Sequence, residues 1–128
     1  MFLLAEELKS MTTDALIQAG IDFEGGLERF SGRTDIYVKY LKKFPEDQCY
    51  PAMLEALEKG DIEEAFSNAH SLKGTSGNLS LTRFYDSLFT LVEALREKNL
   101  EKARELLPAV QEAYDVTVKA LTSGALDE

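Results

Sequence analysis

The chain has 128 residues, 45% hydrophobic and 29% charged, with a formal net charge of −9 at pH 7. That length suits one domain, able to bury about two-thirds of its unfolded surface. The acidic balance argues against nucleic acid, whose grip rests on Lys and Arg contacts to phosphate, and against an anionic membrane surface.

Cys49 is the only cysteine, so no intramolecular disulfide forms and a reduced, cytoplasmic setting is expected. The opening MFLLAEELKS lacks the basic start and long apolar core of a signal peptide. No segment approaches the ~20 apolar residues of a membrane span. Leu, Ala, Glu and Lys abound while alternating Val/Ile runs are missing, which predicts an all-α fold.

In chain order, Leu4, Leu8, Met11, Ala15 and Leu16 recur at helical spacing, with a break near Thr12-Thr13-Asp14 where Thr13 suits a cap. Gly20 reads as a stop, and a short helix over about 23–31 ends near Gly32. Ile36, Tyr37, Tyr40, Leu41 and Phe44 form the stripe of a helix that Pro45 kinks or ends. Pro51 sits where another helix starts, with Met53, Leu54 and Leu57 on its apolar side. Gly60 ends it, and Asp61 with Glu64 forms a capping box for the next.

That next helix buries Ile62, Ala65, Phe66, Ala69, Leu72, Ser76 and Leu79. Another presents Leu81, Phe84, Leu88, Leu91, Val92 and Leu95. Asn99 caps a last helix that Pro108 interrupts as a kink. Short connections make neighbours antiparallel. The expected architecture is an antiparallel four-helix bundle (about 34–48, 61–78, 81–98 and 100–121) with short extra N-terminal helices. As domains, 1–33 is an N-terminal helical cap, 34–122 the bundle and 123–128 a tail, all in one compact, monomeric unit.

The chain's single histidine lies in AHSLKGTSGN, residues 69–78. At about 100° per residue, His70 points well away from the buried stripe. Ser67, Gly74 and Gly77 share its face, and Lys73 lies between it and the core. Each helical glycine costs about 1 kcal/mol relative to alanine. Here the pair removes side chains beside the imidazole and lets a partner approach. The Lys73 stem lies along apolar surface while its ammonium reaches back toward the ring. Residues 65–85 hold Lys73 and Arg83 and no acid, leaving all 23 acids and 12 of the 14 basic residues to the other 107. Such a window favours an anion or an acidic partner pocket. Neutral imidazole is a competent nucleophile near neutral pH, so this face suits transient phosphorylation of a ring nitrogen, with Lys73 stabilising the phosphoryl oxygens.

These residues resemble the histidine-containing phosphotransfer (HPt) domain of two-component phosphorelays, whose signature His-x-Leu-Lys-Gly is matched by HSLKG at 70–74. The stretch GIDFEGGLERFSGRTDIYVKYLKKF resembles the family's lead-in, and LVEALREKNLEKARELL its last helical hairpin, so the likeness spans about residues 19–121. One departure is Ser80, ten residues after the histidine, where the family usually has glycine. The resemblance implies a carrier that accepts phosphate on His70, at Nε2, from a receiver-domain aspartate and passes it to another. Lys73 would assist electrostatically. Ser67, Ser71, Gly74, Gly77 and Arg83 would dock the partner. Response-regulator receivers and a hybrid sensor histidine kinase are the implied partners. The receiver would supply Mg²⁺ and most catalytic groups, so the chain itself needs no cofactor, holds no metal and has no autokinase activity.

Blander readings stand beside this one. Gly74 could end its helix, Lys73 and Arg83 could be ordinary surface charges, and Phe44, Phe66, Phe84 and Phe89 stand at core spacing. One histidine cannot supply the paired Glu-x-x-His motifs of a di-iron bundle, and Cys49 has no histidine nearby in sequence. The competing function is a helical interaction module that binds receiver or kinase domains without carrying phosphate. A hydrolytic or transfer enzyme using His70 as base ranks below both, for want of a triad partner.

Overall fold

The computed structural model describes residues 13–126. The expected apolar positions Leu4, Leu8 and Met11 lie outside them. A helical stretch at 13–18 stops at Gly20, where φ is +86°. Helix α1 (Phe23–Arg29) is capped by Asp22, whose carboxylate accepts the Gly25 N–H at 3.1 Å. Helix α2 (Thr34–Lys43) runs into a 3-10 turn at Phe44–Glu46, and α3 covers Cys49–Lys59. Then come α4 (Ile62–Asn78), α5 (Thr82–Arg96) and α6 (Leu100–Thr122).

The punctuation follows the sequence. Gly60 turns the chain at φ +79°. Asp61 accepts the Glu64 N–H at 3.2 Å and Asn99 accepts the Lys102 N–H at 3.0 Å, each satisfying an orphan donor at a helix start. Connections this short fold α3, α4, α5 and α6 into successive antiparallel hairpins, a four-helix bundle.

The first bundle helix differs from the expected 34–48. Pro45 has no N–H with which to continue the helical ladder, so α2 ends at Lys43; Phe44 keeps helical angles (φ −53°, ψ −43°) and the chain tightens into the 3-10 turn before starting again at Cys49. Asp47 fixes that restart by accepting the Cys49 N–H at 2.8 Å. It is α3 that packs along α4, while α2 lies against α1 and α6. Pro108 stays inside α6. It deprives the Arg104 carbonyl of its helical donor, but both residues are exposed, so that carbonyl is not stranded in the core.

Leu41, Met53, Leu72, Phe84, Leu88 and Leu91 are fully buried and centre the core. Of the aromatics at core spacing, Phe44 and Phe84 are buried and Phe66 is half-buried. Phe89 is 47% exposed and Tyr40 49%, contrary to the core reading of both. Beside Phe44 and Phe84, Tyr50 and Tyr114 stack with ring centroids 3.5 Å apart.

The turn between α4 and α5 carries the departure at Ser80. Ser80 has φ +57°, the left-handed region where glycine is usual. The Leu81 N–H bonds to the Ser76 carbonyl at 2.9 Å and the Ser80 N–H to the Gly77 carbonyl at 3.2 Å, which closes α4 as a Schellman motif. The serine adds a contact a glycine would lack: Arg29 Nε donates to its Oγ at 3.3 Å. Backbone and side-chain bonds gather around the same turn. Asp22 N–H donates to the Ser80 carbonyl at 2.9 Å, Arg83 N–H donates to the Gly20 carbonyl at 3.0 Å, and Tyr37 OH donates to the Leu79 carbonyl at 2.7 Å. The N-terminal segment and α2 are thereby latched to the end of α4.

Burial, reinforced by the Asp22 charge, holds the Tyr37 phenol well above its ordinary pKa. A raised phenol contributes stability that is complete below its unfolded pKa of about 10 and is lost as pH rises beyond it. Tyr37→Phe should cost about 1–2 kcal/mol at pH 7, because it strands the buried Leu79 acceptor. In denaturant titrations that cost should shrink at pH 11; an equal cost at both pH values would contradict the assignment.

Candidate functional site

Helix α4 buries Ala65, Ala69, Leu72 and Ser76. Burial of that stripe turns His70, Ser67, Ser71 and Gly74 outward, and all four are exposed. The helix runs unbroken through both glycines to Asn78, so Gly74 lies in its interior.

The two glycines differ in what surrounds them. A Cβ added at Gly74 would meet nothing within 4 Å. The space beside His70 is therefore open, and nothing in this chain requires glycine there. A Cβ at Gly77 would stand 3.2 Å from Cε2 of Tyr85 on α5. Gly77 thus answers to the chain's own packing, because its bare backbone lets the Tyr85 ring lie against α4.

The antiparallel hairpin puts Gly77 level with Tyr85, Lys73 level with Phe89, and Phe66 level with Arg96. The Lys73 ammonium, expected to reach back toward the imidazole, lies over the Phe89 ring, 4.8 Å from its centroid. This cation–π contact helps hold the exposed Phe89 ring beside the site. The imidazole rests on Phe66, with centroids 5.7 Å apart and planes 11° from parallel. The Arg96 guanidinium carbon is 5.1 Å from the Phe66 centroid, and its Nε is 3.3 Å from a Glu93 carboxylate oxygen. A cleft of about 530 Å³, lined by Arg29, Lys73, Gly74, Gly77, Tyr85 and Asp86 among others, opens alongside.

Arg83 is not brought to this face. Its backbone N–H bonds to Gly20, and its guanidinium lies 3.6 Å from Glu112. Cys49 is half-buried, its thiol raised by burial and by the neighbouring Asp47 charge, which favours the unreactive protonated form. Among the described residues no cluster of His, Cys, Asp and Glu could hold a metal ion, and no helix is long and apolar enough to cross a membrane.

The site thus offers an exposed imidazole stacked, with an offset, on Phe66, a lysine a turn away and open space at Gly74. The chain matches the Hpt domain family over residues 46–120 and belongs to that family. The match runs from the 3-10 turn through most of α6, so the lead-in before residue 46 lies outside it. Hpt domains are phosphotransfer carriers of two-component signalling, generally not enzymes, that interact with receiver and kinase domains. No curated protein and no solved structure matches the chain.

Sequence reasoning passed over Phe66, Phe89 and Arg96 at the site. Phe66, one helical turn before His70, was within reach of the spacing argument. The other two become neighbours only once the α4–α5 register is known.

The glycines give a stability test that needs no partner. Gly74→Ala should stabilise the fold by about 1 kcal/mol through helix propensity alone. Gly77→Ala should yield less than half of that, because Tyr85 must shift. Thermal melts of the two variants decide it; a destabilising Gly74→Ala would mean the space beside His70 is not open.

Proposed function

We propose that His70 is the phosphoacceptor of a relay: it takes a phosphoryl group from a receiver-domain aspartate and gives it to another. The observation that carries this reading is the open space at Gly74 beside an exposed imidazole. A helix bearing a residue about 1 kcal/mol poorer than alanine, at a position with room for a methyl group, serves something outside the chain.

In the transfer, a lone pair on neutral imidazole Nε2 attacks phosphorus. The P–O bond of the acyl phosphate breaks, the aspartate leaves as a carboxylate with the electron pair, and a P–N bond forms. The reverse step regenerates the aspartyl phosphate. Lys73 lies one turn from His70, and its ammonium needs only to leave the Phe89 face to reach phosphoryl oxygens. The acid-free window around His70 lowers the repulsion between the acidic chain and an incoming phosphate. Ser67, Ser71 and Gly74 are the docking positions within about a turn of the imidazole, and Gly77, which also serves the packing of Tyr85, extends that face by a further turn. Arg83, committed to Gly20 and Glu112, takes part only through a large partner footprint. The receiver supplies its own Mg²⁺ and acidic pocket, and this chain needs neither ATP nor autokinase activity.

The test mixes the protein with receiver domains carrying radiolabelled aspartyl phosphate. Label should move to this chain as acid-labile, base-stable phosphate and vanish in His70→Gln. Lys73→Ala should slow transfer about tenfold with little effect on the thermal midpoint, the order expected for one charge contact in a transition state. Gly74→Leu should keep the fold and lose transfer. Receiver binding that is unchanged in His70→Gln, with no label passed, would instead assign a docking module that carries no phosphate.

A further inference from the structure

We propose that Phe66 is a positioning residue for phosphoryl transfer, a platform that fixes the plane of the His70 ring; this rests on His70 being the phosphoacceptor. An exposed imidazole on a helix ordinarily samples several rotamers. Here it does not stand alone. Helical side chains lean toward the N-terminus, so His70 overhangs the turn that carries Phe66. The rings lie 11° from parallel with centroids 5.7 Å apart, an offset stack.

The platform is itself anchored. Phe66 is half-buried and packs against the bundle core. Arg96 sits by its ring, 5.1 Å from the centroid, and is tethered to Glu93 at 3.3 Å. Glu93, Arg96, Phe66 and His70 thus form a chain of contacts from α5 to the reacting ring. Attack on phosphorus uses a lone pair that lies in the imidazole plane. Packing against the edge of the Phe66 ring holds the imidazole plane near-parallel to it, so the stack disfavours rotations that aim the lone pair elsewhere. The same constraint holds the phosphorylated ring for the return step. Phe66 does not touch the phosphoryl group; it acts through His70.

A donor too small to use a docking face separates positioning from docking. Phosphoramidate serves: its P–N bond breaks, ammonia leaves, and the phosphoryl group bonds to the imidazole. Phe66→Leu should lower the phosphorylation rate constant with phosphoramidate about three- to tenfold, the worth of one aromatic stack. Phe66→Tyr should retain the wild-type rate. The imidazole C–H proton resonances, shifted upfield by the ring beneath them, should move downfield in Phe66→Leu and stay in Phe66→Tyr. Circular dichroism melts check the fold, and Phe66→Met, which preserves bulk and apolarity without a flat face, repeats the test should the leucine variant unfold. Wild-type rates in the variants lacking the ring, or unchanged imidazole resonances, would overturn the proposal. A loss seen with receivers but not with phosphoramidate would also overturn it and make Phe66 a docking residue. Phosphate taken up equally by His70→Gln would instead remove the phosphoacceptor assignment beneath it.

Discussion

The closure of α4 onto α5 at Leu79-Ser80-Leu81 is the constraint on which the site depends. Two backbone hydrogen bonds end the helix, and Ser80 takes the left-handed conformation that sends the chain back. A tight turn leaves one register for the returning helix. That register sets Tyr85 against Gly77, Phe89 under Lys73, and Arg96 by Phe66. The left-handed serine costs about 1–2 kcal/mol, which its bonds to Arg29 and Asp22 and the neighbouring Tyr37–Leu79 bond help to offset.

Along α4 the same residues answer to two demands. Ala65, Ala69, Leu72 and Ser76 face inward and set the rotation of the helix. Between Ala65 and Gly77 what remains exposed is small or reactive: Ser67, His70, Ser71 and Gly74. The two glycines look alike in sequence and differ in cause. Gly77 yields to Tyr85 inside the molecule, whereas Gly74 yields to nothing the chain contains. Two aromatic rings then hold the two charge-handling side chains: Phe66 carries the imidazole and Phe89 the ammonium of Lys73. Both belong to an Hpt domain, a carrier in two-component signalling, and an ordered imidazole beside a movable cation fits that work.

Much of this was legible in the amino-acid order, for local reasons. Asp61, Gly60 and Asn99 act within a few residues of themselves, so their caps could be read directly. The Asp61 N–H, however, bonds to the Ala56 carbonyl and the Glu64 carboxylate accepts from Asn68, so the expected capping box forms by only its Asp61 half. The outward aspect of His70 follows from the alanine and leucine spacing of its own helix. The rest depended on contacts across the fold. Pro45 announced a break, but that α3 rather than α2 lies along α4 is a matter of tertiary packing. Phe89 and Tyr40 sit at core spacing yet stay half in solvent. Phe89 has a lysine as its neighbour, and Tyr40 leans on Phe30, with ring centroids 6.0 Å apart. Lys73 was expected near the imidazole because its helix alone was in view; the ring that holds it comes from α5. The latch from Asp22, Arg29 and Tyr37 onto the α4–α5 turn spans roughly 40 to 60 residues of sequence and leaves no local mark.

The phosphoryl group's destination can be read atom by atom. Phosphorus and ¹⁵N magnetic resonance on the phosphorylated, nitrogen-labelled protein should reveal a single one-bond phosphorus–nitrogen coupling, to Nε2 of His70, with the other ring nitrogen uncoupled. Phosphate bound to oxygen, or to any nitrogen outside that imidazole, would contradict the assignment of this face.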